Sequence, residues 1–200
     1  MPGLSAPQQP SAAPPALAVQ VLAGLRGAVL LARGRAAGIA FTCLSPEGAA
    51  RSFWAAVFCL PAFLLLRLVS GAAGEIGTDP LRFLVAELSG FVCSWVGYAL
   101  ASYWLAARAG LLARWPRFIA AWNWANIVQY VALLVLLPVP PGMVATWLGI
   151  AAFGYAMWLE WFVAREALGV NAFQAATFVA LDLAISIFLA GAVQAVAMVD

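Results

Sequence analysis

Five apolar stretches long enough to cross a bilayer as helices follow one another from Phe53 to Met198, separated by short segments rich in proline, glycine and arginine. A helix that is hydrophobic on every side leaves no face for water, so a run of such segments does not build a soluble domain. Composition agrees: 66% of the 200 residues are hydrophobic and 9% charged, too few to clothe a soluble surface. The expected fold is all-α, a polytopic transmembrane helix bundle of five spans in which each helix satisfies its own backbone.

Local chemistry marks where the spans begin and end. Ser45 offers an N-cap oxygen, Pro46 suits the first helical position, and Glu47 sits at the positive dipole end, with Arg51 one turn later. The first span runs from there through Phe53 to about Ser70, with Pro61 expected to kink it and Gly71 past its end. Thr78-Asp79-Pro80 repeats this grammar and opens a second span, Leu81 to Ala107. Trp115-Pro116 opens the third, which stops at Leu137 before Pro138-Val139-Pro140-Pro141-Gly142. Pro141 begins the fourth, reaching Val163; past Gly169, Asn171 caps a fifth from Phe173 to Met198. Phe53, Trp54, Trp104, Trp115, Trp147, Trp158 and Trp161 fall near span ends, where aromatic belts form.

Ahead of this membrane domain, residues 45–200, the chain divides in two. Residues 1–15 are rich in Pro, Ala, Ser and Gln without periodicity or charge, and are expected to be a disordered tail. Residues 16–44 carry Leu17, Val21, Leu25 and Val29 at helical spacing, but Gly24, Arg26, Gly27, Arg33, Gly34, Arg35 and Gly38 interrupt the apolar run. An amphipathic helix lying in the headgroup region, its arginines near lipid phosphates, accounts for both; a sixth span is the alternative. Arg26 also breaks the uniform apolar run that a cleaved signal peptide needs.

Every basic residue is an arginine. With the N-terminus inside, Arg26, Arg33, Arg35, Arg51, Arg108, Arg114, Arg117 and Arg165 lie on the cytoplasmic side of a bacterial-type inner membrane, against only Arg67 and Arg82 outside. The C-terminus is then extracytoplasmic. The arginines form no dense tract, so nucleic acid is not expected as a partner; the lipid bilayer is, with other membrane proteins or self-association as further candidates.

Asp182 is the clearest pointer to chemistry. It lies nine residues beyond Phe173, roughly 13 Å into the bilayer, too deep for a short side chain to reach water, so it must be paired, protonated or hydrated. Counting the same depth along the other spans places Tyr98, Asn126 and Tyr155 at its level as expected donors. Asn123, Asn126 and Gln129, spaced by three, present amides along a stripe of the third span. This layer reads either as a proton or cation site centred on Asp182 or as an interhelical network that only fixes packing. Arg67 and Glu87, at similar depth on consecutive antiparallel spans, are expected to form a structural ion pair. Glu160, placed near the end of the fourth span, is expected to pair with Arg165 or the Arg114–Arg117 loop.

Catalytic residues are not expected. Without histidine there is no Ser-His or Cys-His arrangement and no HExxH metal site, and Asp182 stands as the only acid near the midplane, where aspartate chemistry uses two. Cys43, Cys59 and Cys93 lack metal-ligand spacing and are read as small packing residues, so no metal and no cofactor is expected. Gly149, Ala152 and Ala156 read as a site of close helix packing.

Five closely spaced spans from Phe53 to Met198 behind an N-terminal segment, the third bearing Trp122-Asn123-Trp124-Ala125-Asn126, resemble bacterial members of the Yip1 family. The DLYGP-type signature of the eukaryotic branch is absent. The resemblance implies a non-enzymatic inner-membrane protein acting through protein or lipid contacts; the alternative is a small transporter or channel component with a proton or cation site at Asp182.

Overall fold

A computed structural model describes residues 17–42, 45–72 and 80–197. The N-terminal tail, Cys43 and the Thr78-Asp79 cap lie outside them. Among the described residues seven α-helices follow one another: α1 (Leu17–Ala32), α2 (Pro46–Ser52), α3 (Trp54–Ala72), α4 (Pro80–Arg108), α5 (Trp115–Leu136), α6 (Met143–Leu168) and α7 (Ala172–Ala197), with a 3-10 turn at Ala36–Phe41. Five segments of the described residues are long and apolar enough to cross a membrane: Pro46–Val69, Leu81–Arg108, Trp115–Leu136, Met143–Leu168 and Ala172–Ala195. The protein is an all-α membrane bundle.

The caps explain most boundaries. Gly48 N–H donates to Ser45 Oγ at 3.1 Å, with Pro46 in the first turn. Phe53 separates α2 from α3, and Pro61 lies within α3 without ending it. Asn171 and Gln174 form a reciprocal box, Gln174 N–H donating to Asn171 Oδ1 at 2.9 Å and Asn171 N–H to Gln174 Oε1 at 3.3 Å. The fourth span differs from expectation. It starts at Met143 rather than Pro141 and continues past Val163 to Leu168, because the αL residue that stops it is Gly169, φ 62°. Arg114 Nη1 then donates to the freed Leu168 carbonyl at 2.7 Å.

Helix α5 is the hub. It packs against α1, α2, α3 and α6, while α4 lies along α7 and α7 against α6. Its arginine-bearing half is enclosed, with every residue from Phe118 to Ala125 buried. Aromatic rings run through the bundle from Phe63 to Phe91 (4.7 Å between centroids), on to Trp95 (6.0 Å), Trp122 (5.2 Å) and Tyr98 (4.5 Å). Phe118 continues the series to Phe178 at 5.2 Å. Of the described cysteines, Cys59 is buried as a packing residue, whereas Cys93 is exposed on α4, so packing does not account for it.

The glycines of the N-terminal segment act as approach points rather than breaks. Helix α1 is continuous through Gly24 and Gly27 and buries both, with Ala28 and Leu31, while Arg26, Arg33 and Arg35 stay exposed. Gly34, φ 70°, turns the chain, and the 3-10 turn runs back so closely that a Cβ on Gly38 would stand 2.5 Å from the Gly27 carbonyl oxygen. The Trp124 ring of α5 occupies the space over Gly24. Arg26 sits 4.9 Å from the Phe41 ring centroid, and Tyr155 Oη of α6 donates to the Ala32 carbonyl at 2.7 Å. The segment is thus packed onto α5 and α6.

Toward the other end, Arg67 Nε of α3 lies 3.0 Å from Glu87 Oε2 of α4, with Glu87 buried and Arg67 half-exposed beside the Phe63 ring.

Gly38→Ala should lower the midpoint of thermal unfolding in mild detergent, an overpacking loss of about 1–3 kcal/mol. Gly154→Ala, where a Cβ meets nothing within 4 Å, should leave it unchanged. A second test concerns the ion pair. Arg67→Gln and Glu87→Gln should each destabilise, but the double variant should lose at least about 1 kcal/mol less than their sum; strict additivity would mean that the pair is not coupled.

Candidate functional site

Helices α6 and α7 form a hairpin about the Gly169–Asn171 turn, so residues at comparable distances from that turn lie at similar depth. Glu160 lies eight residues before Leu168 and Asp182 ten residues after Ala172, and the two carboxyl groups meet inside the bundle. This corrects two expectations. Glu160 does not pair with Arg165 or the α4–α5 arginines, and Asp182 is not alone near the midplane. Arg165 instead sits 5.3 Å from the Trp161 ring centroid and 4.0 Å from Glu166 Oε1.

The two acids line a cavity of about 320 Å³ bounded by α4, α5, α6 and α7. Gln129 Nε2 of α5 donates to Glu160 Oε1 at 3.2 Å, which fixes one side of that carboxylate. The other oxygen, Oε2, is buried without a hydrogen-bond partner among the described residues, and so is the indole Nε1 of Trp122, which approaches Asp182 without completing a bond. Two facing carboxylates both accept and neither donates, so a proton, a cation or water must stand between them. The volume leaves room for several waters at roughly 30 Å³ each.

The expected polar layer is only partly assembled. Asp182, Asn126, Gln129 and Tyr155 line the cavity, while Asn123 and Tyr98 do not. Asn123 Nδ2 donates to Ser52 Oγ at 2.7 Å, tying α5 to the end of α2. Tyr98 Oη donates to the Phe178 carbonyl at 3.4 Å and packs its ring on Trp122. The donors expected for Asp182 are therefore engaged elsewhere: Asn126 Nδ2 bonds the Trp122 carbonyl one turn back at 2.9 Å, and Tyr155 reaches α1. Gly149, Ala152 and Ala156 also line the cavity instead of packing tightly, and a Cβ on Gly149 would meet nothing within 4 Å. Their small side chains leave the space open.

Two recesses adjoin the cavity on the side away from the arginine-bearing end. One of about 110 Å³ shares Ser94, Tyr130 and Ser186 with it and reaches Glu87. The other, about 300 Å³, shares Leu133 and Gly149 and is otherwise walled by apolar residues of α3, α5 and α6 up to Val139. On the arginine-bearing side, buried Tyr98, Phe118 and Phe178 fill the interior.

Sequence reasoning missed Glu160, Trp122, Ser94 and Ser186. Comparable spacing from the helix ends that flank the Gly169–Asn171 turn, eight residues on one side and ten on the other, was the signal that would have found Glu160. Among the described residues no three of His, Cys, Asp and Glu converge. Comparison with family models, curated proteins and solved structures finds no match to this chain.

Proposed function

We propose that this chain is a non-enzymatic protein of a bacterial-type inner membrane that binds a cation, a proton included, between Glu160 and Asp182 as a small transporter or channel component. The observation that carries this reading is the buried, unpartnered oxygen of Glu160 beside Asp182 in a cavity with room for water. A carboxylate kept only for packing would have its acceptors filled, because an open one in hydrocarbon costs at least a few kcal/mol. With the N-terminus cytoplasmic, the recess toward Glu87 gives the site an extracytoplasmic approach, and the rings of Tyr98, Phe118 and Phe178 close the cytoplasmic one.

A second reading keeps the contact role implied by the Yip1-like resemblance. It draws on the broad apolar outer faces, such as Val92, Val96 and Leu100 on α4 and Ile187 and Phe188 on α7, which suit lipid, other membrane proteins or another copy of the chain.

The two readings separate on neutralising the acids. In proteoliposomes holding entrapped pyranine, the intact protein should dissipate an imposed pH gradient. Glu160→Gln and Asp182→Asn should each cut that rate at least tenfold, while thermal stability stays equal or rises as buried charge is removed. Variants that dissipate the gradient as fast as the intact protein would overturn the cation-site reading and favour the contact role.

A further inference from the structure

We infer that the cation this cavity takes is a small organic ammonium, its N–H groups bonded to Glu160 and Asp182 and its hydrocarbon body held by the aromatic wall. The inference rests on the cation-site reading above and names the ligand's class. Size is the first argument. A proton or a bare ion needs no cavity of about 320 Å³, whereas small-molecule sites begin at roughly 300 Å³.

Polarity is the second argument. Glu160 is 5% exposed and lines the cavity, and its Oε2 accepts from no N–H or O–H among the described residues. The open Glu160 oxygen calls for an N–H or O–H donor, and no basic side chain lines the cavity among the described residues to supply one. Trp95, Trp122, Tyr130, Phe153 and Tyr155 line the same cavity as the two carboxyls, and aromatic rings attract a positively charged nitrogen by their faces and bind hydrocarbon by their area. A calcium or magnesium ion would use six or more oxygen ligands in a polar shell, which does not match two carboxyls in a cavity lined by aromatic rings.

Phenethylamine carries both required features, and 2-phenylethanol has nearly the same shape without the charge. Equilibrium binding of radiolabelled phenethylamine to the full chain in lipid nanodiscs, corrected with empty nanodiscs, should be saturable. Glu160→Gln and Asp182→Asn should each weaken it at least tenfold, Glu166→Gln outside the cavity should leave it unchanged, and excess 2-phenylethanol should not displace it. Absence of saturable binding, equal binding by the Glu160 and Asp182 variants, or displacement by the alcohol would overturn the inference. The pyranine assay separates the two failures. Carboxylate-dependent gradient dissipation without amine binding removes the ligand class and leaves the cation site, whereas loss of both removes the site as well.

Discussion

A carboxylate inside hydrocarbon must be neutralised, paired or hydrated, and this bundle places two at the same point. Much of its interior follows from accommodating them. Gln129 holds one oxygen of Glu160, and the small residues of α6 leave an open volume where larger ones would have filled it. Replacing the pair by well-packed apolar residues would serve stability at least as well, so stability alone does not explain why two acids face each other here.

The span pattern was legible because the bilayer imposes one length and one polarity on every crossing, and the capping residues near Ser45, Pro116 and Asn171 mark the ends by local chemistry. The site was less legible because its geometry depends on where helices stop. Ending the fourth span at Val163 rather than Leu168 shifts every depth along it by about 7 Å at the helical rise, enough to move Glu160 from the interior to the interface. Arg67 and Glu87 escaped this error because both were counted from the ends that face the same short connection. Level alone also did not give facing. Tyr98 and Asn126 have competing carbonyl acceptors within reach of their own helix or its neighbour, and those nearer partners hold them.

Glycine was misread for a related reason. In a water-soluble helix, Gly24 and Gly27 would signal weakness, since each lowers helix propensity. Between helices in a membrane the missing side chain is what lets backbones approach, and Gly24 meets the Trp124 ring while Gly27 meets the returning strand of chain at Gly38. The N-terminal segment therefore encloses the same half of α5 whose rings close the interior, and Tyr155 joins the two by lining the cavity with its ring and bonding α1 through its hydroxyl. A movement of α1 would be felt at the cavity wall through that bond.

The polarity of the interior is graded along the bundle. Beyond the Glu160–Asp182 pair, Ser94 and Ser186 carry hydroxyls toward Glu87, whereas the neighbouring recess past Leu133 offers apolar walls. On the proposed cation-site reading, a charged group leaving the acids would meet oxygen atoms in the direction of Ser94 and Ser186. That direction ends at a carboxylate already held by Arg67 at 3.0 Å. If Glu87 stood alone it would compete for the same cation as the inner pair and hold it at the rim. The arginine satisfies that charge, so on the cation-site reading a structural ion pair near one interface would leave Glu160 and Asp182 as the carboxylates inside the membrane that bind.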